Sequence, residues 1–355
     1  MAHRTFTTAS DLTRAILVAV DVDDPRRPLE PELLEFEALA AASGAAVIER
    51  VVQRRAHVDP ATLVGSGKAT EIAERAKELG ANLVLVLNDL RPRQRKNLEK
   101  LVPLPIVDRT MLILDVFAQH ARSREGKLQV ELAQLRYRQS NLIGIGADLS
   151  RLGGGIGTRG PGETKLEVDR RRIQDRVSVL RRALEEVRKQ RSTRRGDTRE
   201  REPLVALVGY TNVGKSSLLN RLARSDALVA DQPFATLDPT MRRAYLGPNR
   251  FVRVVDTVGF ITDLPKDLVS AFRSTLEELN DADVLVHVVD ASNPDWPRQM
   301  EAVDATLRDL ELENKPRIVV FNKVDAVTGE LPHLAGALYV SARDGSGIPE
   351  LLSRL

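Results

Sequence analysis

The chain has 355 residues, a length that fits two or three domains, and its 42% apolar and 29% charged residues are enough to build packed cores. It has no cysteine, which excludes disulfides, zinc fingers, iron–sulfur clusters and thiol catalysis, and its five histidines are scattered from His3 to His333. The net charge of +3 is uneven: residues 121–200 hold 20 Lys+Arg against 11 Asp+Glu, a net of +9, which leaves −6 for the rest. A basic middle between acidic ends suggests a segment facing a polyanion, although a solvated helical face has the same composition. No apolar run approaches the ~18 residues of a membrane span, and the N-terminus has no signal-peptide pattern.

Within an N-terminal region over 1–109, residues 14–109 alternate short apolar runs with helical patterns. Ile16–Asp21, Ala45–Val52, Asn82–Leu87 and Ile106–Val107 read as strands, and Pro31–Ser43, Lys68–Leu79 and Pro92–Leu101 as helices, with Gly44 closing the first. This alternation predicts a parallel α/β lobe with right-handed crossovers. Within it, Gly65-Ser66-Gly67-Lys68 precedes a helix, but Thr62 stands where a phosphate loop needs glycine. It reads as a helix N-terminus rather than a second nucleotide loop.

From 110 the pattern changes. Thr110–Asn141 predicts one or two long helices, and Glu163–Arg191 another. Between them lies the loop Leu152–Gly162, in which six of eleven residues are glycine. Two long helices around a loop imply an antiparallel hairpin over 110–193. Residues 194–202 read as a polar linker, and strand–helix alternation returns over 203–355.

That last region carries the chemistry. Gly209-Tyr210-Thr211-Asn212-Val213-Gly214-Lys215-Ser216 is a complete GxxxxGK[ST] loop, set between the apolar run Leu204–Val208 and the helical start Ser217–Leu222. Its glycines let backbone N–H groups converge on phosphate oxygens at a helix N-terminus. Lys215 would span the outer phosphates, and Ser216 would offer its hydroxyl to Mg²⁺. Asp256-Thr257-Val258-Gly259 ends an apolar run, so Asp256 can hold the magnesium through water and Gly259 can approach the terminal phosphate. Asn322-Lys323-Val324-Asp325 ends another run, and the Asp325 carboxylate can accept two hydrogen bonds from guanine that adenine cannot offer. Ser341-Ala342-Arg343 can give backbone N–H to the guanine oxygen.

Between the first two motifs lies Phe234-Ala235-Thr236-Leu237-Asp238-Pro239-Thr240, a candidate switch loop. Thr236 and Thr240 are both placed to reach magnesium. Arg242–Leu246 and Phe251–Val255 flank Gly247-Pro248-Asn249 and predict a hairpin. The expected architecture is a Ras-like P-loop GTPase domain following the lobe and the helical hairpin. One position departs from the Ras-like pattern: Phe260 follows Gly259, where a glutamine usually orients the attacking water.

These guanine motifs, Phe234–Asp238 and Asp256–Phe260, together with Leu149–Glu167 around the glycine loop, resemble the HflX family of translational GTPases over essentially the whole chain. The resemblance implies GTP hydrolysis with Mg²⁺, binding to the large ribosomal subunit and its rRNA, and dissociation of stalled or idle ribosomes, notably under heat stress. It implies a monomer in the cytoplasm, at ribosomes or peripheral to a membrane. It also implies that Thr236 is the magnesium ligand beside Ser216, that Lys215, Thr236 and Gly259 serve catalysis, and that the Gly153–Gly162 tip approaches the ribosome. The family carries a hydrophobic residue at the position of Phe260. Many members continue into a small C-terminal domain. Here the sequence stops a dozen residues after Arg343, as a truncated form or a lineage without that domain. A ribosome-assembly GTPase, or an ATP-dependent RNA-remodelling enzyme acting through the N-terminal lobe, are the alternative readings.

Overall fold

The computed structural model describes residues 13–24, 28–152, 161–195, 202–224, 233–234, 236–262 and 279–355, with side chains of 143–152, 161–166, 188 and 191–195 left aside. No described helix is long and apolar enough to cross a membrane. The chain divides into two compact units. One is Met1–Val116 with Gln134–Asp175, the other Phe117–Ala133 with Arg176–Leu355.

The first unit is built on a four-stranded parallel sheet in the order β2-β1-β3-β4. Its strands are β1 (Thr13–Asp21), β2 (Ala45–Arg54), β3 (Leu83–Val86) and β4 (Ile106–Asp108). The alternating helices are α1 (Leu29–Ala42), α2 (Ser66–Leu79) and α3 (Pro92–Leu101). β1 runs apolar without alternation from Ala15 to Val20, and every one of those side chains is buried, as expected of an inner parallel strand covered on both faces. Ile16, Val18, Val84, Val86 and Ile106 pack with Ile72 and Leu98 into one core. The Gly65–Lys68 stretch is the N-terminus of α2, with Gly65 as cap at φ 87° and the Lys68 ammonium paired to Glu71 at 2.6 Å.

α4 (Arg109–His120) follows, then α5 (Arg124–Leu152) and α6 (Pro161–Arg195), so the predicted 110–141 helical stretch is two helices broken at Ala121–Ser123. Tyr137, the one aromatic residue in the basic segment, is sequestered in a polar cluster. Its hydroxyl donates to Asp108 at 2.5 Å and accepts from Arg95 at 2.7 Å, and burial pushes the phenol pKa up. Closer to the break, Arg176 of α6 makes a bidentate bond to Glu131 of α5.

The second unit holds a six-stranded sheet in the order β10-β9-β8-β5-β7-β6. These are β5 (Leu204–Gly209), β6 (Thr240–Gly247), β7 (Arg250–Asp256), β8 (Val284–Asp290), β9 (Arg317–Asn322) and β10 (Leu338–Tyr339). All neighbours are parallel except β6 and β7, the predicted hairpin, turned at Asn249 with φ 58°. Helices α7 (Lys215–Ala223), α8 (Trp296–Asp309) and α9 (Ile348–Arg354) complete the described part. The carboxyl ends of β5, β7, β8 and β9 thus lie side by side, which is where open α/β sheets bind ligands.

Candidate nucleotide site

The phosphate loop begins where fully buried β5 ends and runs directly into α7, whose first residue is Lys215. The helix starts two residues earlier than predicted, so Lys215 and Ser216 sit in its first turn. N–H groups there have no carbonyl one turn back, and they carry the positive end of the helix dipole. Gly214 is demanded twice over. Its φ is +90°, and a Cβ there would lie 2.4 Å from the Asn322 amide nitrogen. That Asn322 side chain is buried and bridges two motifs: its Nδ2 donates to the Val213 carbonyl at 2.8 Å, and its Oδ1 accepts the Ala342 N–H at 3.0 Å.

The Lys215 ammonium is buried and donates to the carbonyls of Gly209 and Tyr210, at 3.1 and 2.7 Å. Loss of hydration pushes its pKa down to about 8, with the Asp256 charge opposing. Phosphate oxygens beside Nζ favour the ammonium and raise that pKa back. Nucleotide binding is therefore expected to take up more than half a proton at pH 8.5 and almost none at pH 7, and affinity should decline as pH rises above 8. Calorimetry in buffers of different ionisation enthalpy measures the uptake; a buffer-independent heat at pH 8.5 contradicts it.

Asp256, at the end of β7, gathers oxygen atoms. Its Oδ2 accepts from the hydroxyls of Ser216 at 2.6 Å and Thr236 at 2.9 Å, and those hydroxyls lie 2.8 Å apart. Its Oδ1 is buried with no hydrogen-bond partner among the described residues, and burial pushes the carboxyl pKa up. Two hydroxyls and a partly satisfied buried carboxylate are the hard donors that suit Mg²⁺. The threonine in this cluster is Thr236, while Thr240 is the first residue of β6, opposite Asp256 in the strand ladder. Gly259 lies against the loop: a Cβ there would be 2.8 Å from Thr211 Cα and 3.1 Å from Lys215 Nζ. Its neighbours face inward. The Thr257 hydroxyl donates to the Leu207 carbonyl at 2.7 Å, and Val258 is buried.

At the far end of the sheet Asp325 Oδ1 accepts the Ser341 hydroxyl at 2.7 Å, and Arg343 approaches Oδ2 at 3.9 Å. Lys323 lies along the loop, donating to the Asn212 carbonyl at 2.8 Å and pairing with Asp290 at 2.7 Å. Val324 packs on the core around Phe321 and Val289. Asp290 belongs to none of the motifs, yet it ends β8 as Asp256 ends β7, and that repeat of an acid at a strand's carboxyl edge is its signal in the sequence. Thr262 also emerges only here: its N–H donates to the Tyr210 hydroxyl at 2.9 Å, and the two hydroxyls lie 2.8 Å apart. In the switch loop Phe234 and Leu237 are buried, and Asp238 bonds to Arg122 and Ser123; Ala235 lies outside the described residues.

A phosphate loop running into a helix, an oxygen cluster at that helix's first turn and a carboxylate–serine pair beyond β9, all at the carboxyl edge of one Ras-like sheet, define a P-loop GTPase. Family profiles match along the chain in three stretches: "GTP-binding GTPase N-terminal" at 30–118, "GTP-binding GTPase Middle Region" at 120–197 and "50S ribosome-binding GTPase" at 204–323. The GTPase HflX of Caldanaerobacter subterraneus is 48% identical over 348 residues, covering 98% of this chain and 81% of the relative. The GTPase HflX of Escherichia coli is 44% identical over 332 residues, 91% of this chain and 78% of the relative. A crystal structure described as SsGBP in complex with GDP aligns over 96% of this chain and 97% of its own, at 22% identity and a TM-score of 0.53, a likeness of fold. The chain belongs to the HflX family of GTPases.

Proposed function

We propose that this GTPase binds GTP with Mg²⁺ between Gly209–Ser216 and the switch loop 234–238, and that it acts on the large ribosomal subunit to dissociate stalled or idle ribosomes, including those that accumulate on heating. The convergence of Ser216, Thr236 and Asp256 within 2.6–2.9 Å carries the nucleotide half of this reading. Ser216 and Thr236 would hold the metal directly, and Asp256 through water. Mg²⁺, when bound, supplies charge neutralisation on the phosphates. Lys215 places its ammonium between the outer phosphates, the Thr236 and Gly259 N–H groups meet the terminal one, and the Asp325 carboxylate and Ser341–Arg343 backbone select guanine. Hydrolysis then rests on positioning and charge, as phosphoryl transfer generally does.

The ribosomal half is supported by the family profile over 204–323, described as 50S ribosome-binding, and by the +9 balance of residues 121–200. We divide the work among a lobe (1–109), a hairpin (110–193), a linker (194–202) and a G domain (203–355). The hairpin tip, Gly153–Gly162, lies for the most part outside the described residues; Arg151, Arg159 and Lys165 flank or line it and suit rRNA phosphates. The decisive experiment is sedimentation of intact ribosomes with the protein and a non-hydrolysable GTP analogue. Separation into subunits is the expected result. Binding only to precursor subunits would make it an assembly factor instead. Replacing Gly153–Gly162 by a short Gly-Ser turn is expected to leave GTP affinity and basal hydrolysis near wild type while subunit separation falls sharply. Separation at the wild-type rate would reduce the loop to a connector.

A further inference from the structure

The switch loop is pinned on both sides of Thr236, by the last turn of α4 and by the residues that lead into α5. On one side the Phe234 ring packs edge-on against Phe117 with centroids 4.4 Å apart, and both side chains are buried. Phe234 holds φ +57°, a left-handed conformation that costs a non-glycine residue energy and persists where packing imposes it. On the other side Asp238 Oδ2 accepts the N–H groups of Arg122 at 2.9 Å and Ser123 at 2.7 Å, and Oδ1 accepts the Ser123 hydroxyl. The Ser123 oxygen in turn accepts the Gly126 N–H at 2.8 Å, which makes Ser123 the N-cap of α5. The switch loop thus completes the cap of a helix more than a hundred residues earlier. Gly126 keeps the space open for it: a Cβ there would lie 2.4 Å from Asp238 Oδ1.

We infer that Asp238 and Phe234 are positioning residues for Thr236, and that the α5 cap, through them, is a working part of the GTPase site. The inference rests on the reading of Thr236 as the residue that engages metal and terminal phosphate. Ala235 apart, the loop residues 234–238 are few, so a carboxylate fixed at 238 and a ring fixed at 234 leave the Thr236 hydroxyl little freedom away from Ser216 and Asp256. The coupling is reciprocal by linkage: a nucleotide that fixes Thr236 strengthens the cap, and a weakened cap lowers the population of the engaged loop. GDP lacks the terminal phosphate, so its contacts through Lys215, Asn322 and Asp325 do not draw on this anchor. The start of α5 would then differ in stability between the two nucleotide states.

Four variants of the full chain test this. Asp238→Ala removes the acceptor, and Gly126→Ala displaces the same carboxylate from the helix side without changing a loop residue. Alanine is the better helix former in a helix interior, so a loss of activity in Gly126→Ala reports on the crowded Asp238–Ser123 cap and not on helix propensity. Each is expected to lower kcat for GTP about tenfold, the scale of a lost cap, while GDP affinity stays within about twofold. Asp238→Asn keeps one acceptor oxygen and should recover part of the loss. Thr236→Ala reports separately on the reading beneath. In hydrogen exchange, the Arg122 and Ser123 amides should be more protected with a non-hydrolysable GTP analogue than with GDP, and Thr236→Ala should erase that difference. Wild-type kcat in both Asp238→Ala and Gly126→Ala, with Thr236→Ala impaired, overturns the inference and leaves the reading of Thr236 standing. Wild-type kcat in Thr236→Ala overturns that reading and the inference with it.

Discussion

Replacing Asp325 with asparagine is expected to lower GTP affinity by about 10⁴-fold and to shift preference toward xanthine nucleotides. The carboxylate offers two acceptors to the ring N–H and exocyclic amine of guanine, and a site built to pair with such donors rejects a mismatched partner on that scale. The variant is well suited to the question because the fold should survive it. Ser341 donates to Asp325 Oδ1 at 2.7 Å, and an asparagine can accept the same hydrogen through its own oxygen. That bond places the new amide nitrogen at the Oδ2 position, where it meets the guanine donors with donors of its own. Xanthine carries a carbonyl in place of the exocyclic amine and accepts from it. Calorimetry with GDP and xanthosine diphosphate measures both effects, and unchanged GDP affinity in Asp325→Asn would show that this carboxylate does not read the base.

Hydrolysis by the protein alone is expected to be slow, and large ribosomal subunits are expected to accelerate it by ~10³–10⁵, the range seen when a missing transition-state group is supplied by a partner. The reason lies at Phe260. Its ring is fully buried, its N–H donates to the Gly209 carbonyl at 3.1 Å, and its carbonyl accepts the Thr211 N–H at 2.8 Å. The residue therefore stitches the segment after Gly259 to the phosphate loop and sends its side chain into the core. Restoring glutamine there should not restore catalysis: Phe260→Gln buries an amide and removes a packed ring, and destabilisation by about 3 kcal/mol or more is the expected result. Single-turnover hydrolysis with and without large subunits checks the first expectation, and thermal unfolding of Phe260→Gln checks the second. Equal rates with and without subunits would remove the partner from the reaction.

The elements and the class of site are legible in the amino-acid order because they follow from local rules. The apolar run Leu204–Val208 followed by a glycine loop and a helix start reads as a phosphate loop on a buried parallel strand; in the fold Lys215 and Ser216 open α7 and Asn322 ends β9. Asp256 at a strand's end and the Gly247–Asn249 hairpin were legible for the same reason. What the tertiary structure alone decided are relations between residues far apart in the chain. Thr236 and Thr240 are equivalent by spacing; the resemblance favours Thr236, and the fold brings its hydroxyl to Ser216 and Asp256. The lowered pKa of Lys215 comes from burial beneath the loop, which no motif encodes. Phe260 read as a missing glutamine, whereas its place is set by β5 and the loop that surround it. Asp238 read as one more residue of a nucleotide loop, yet both its oxygens are taken by the start of α5, 115 and 116 positions away. Periodicity and capping are written within a few residues and survive in the sequence. A hydrogen bond across a hundred residues depends on where the sheet and helices bring two backbones together, and only the folded chain holds that information.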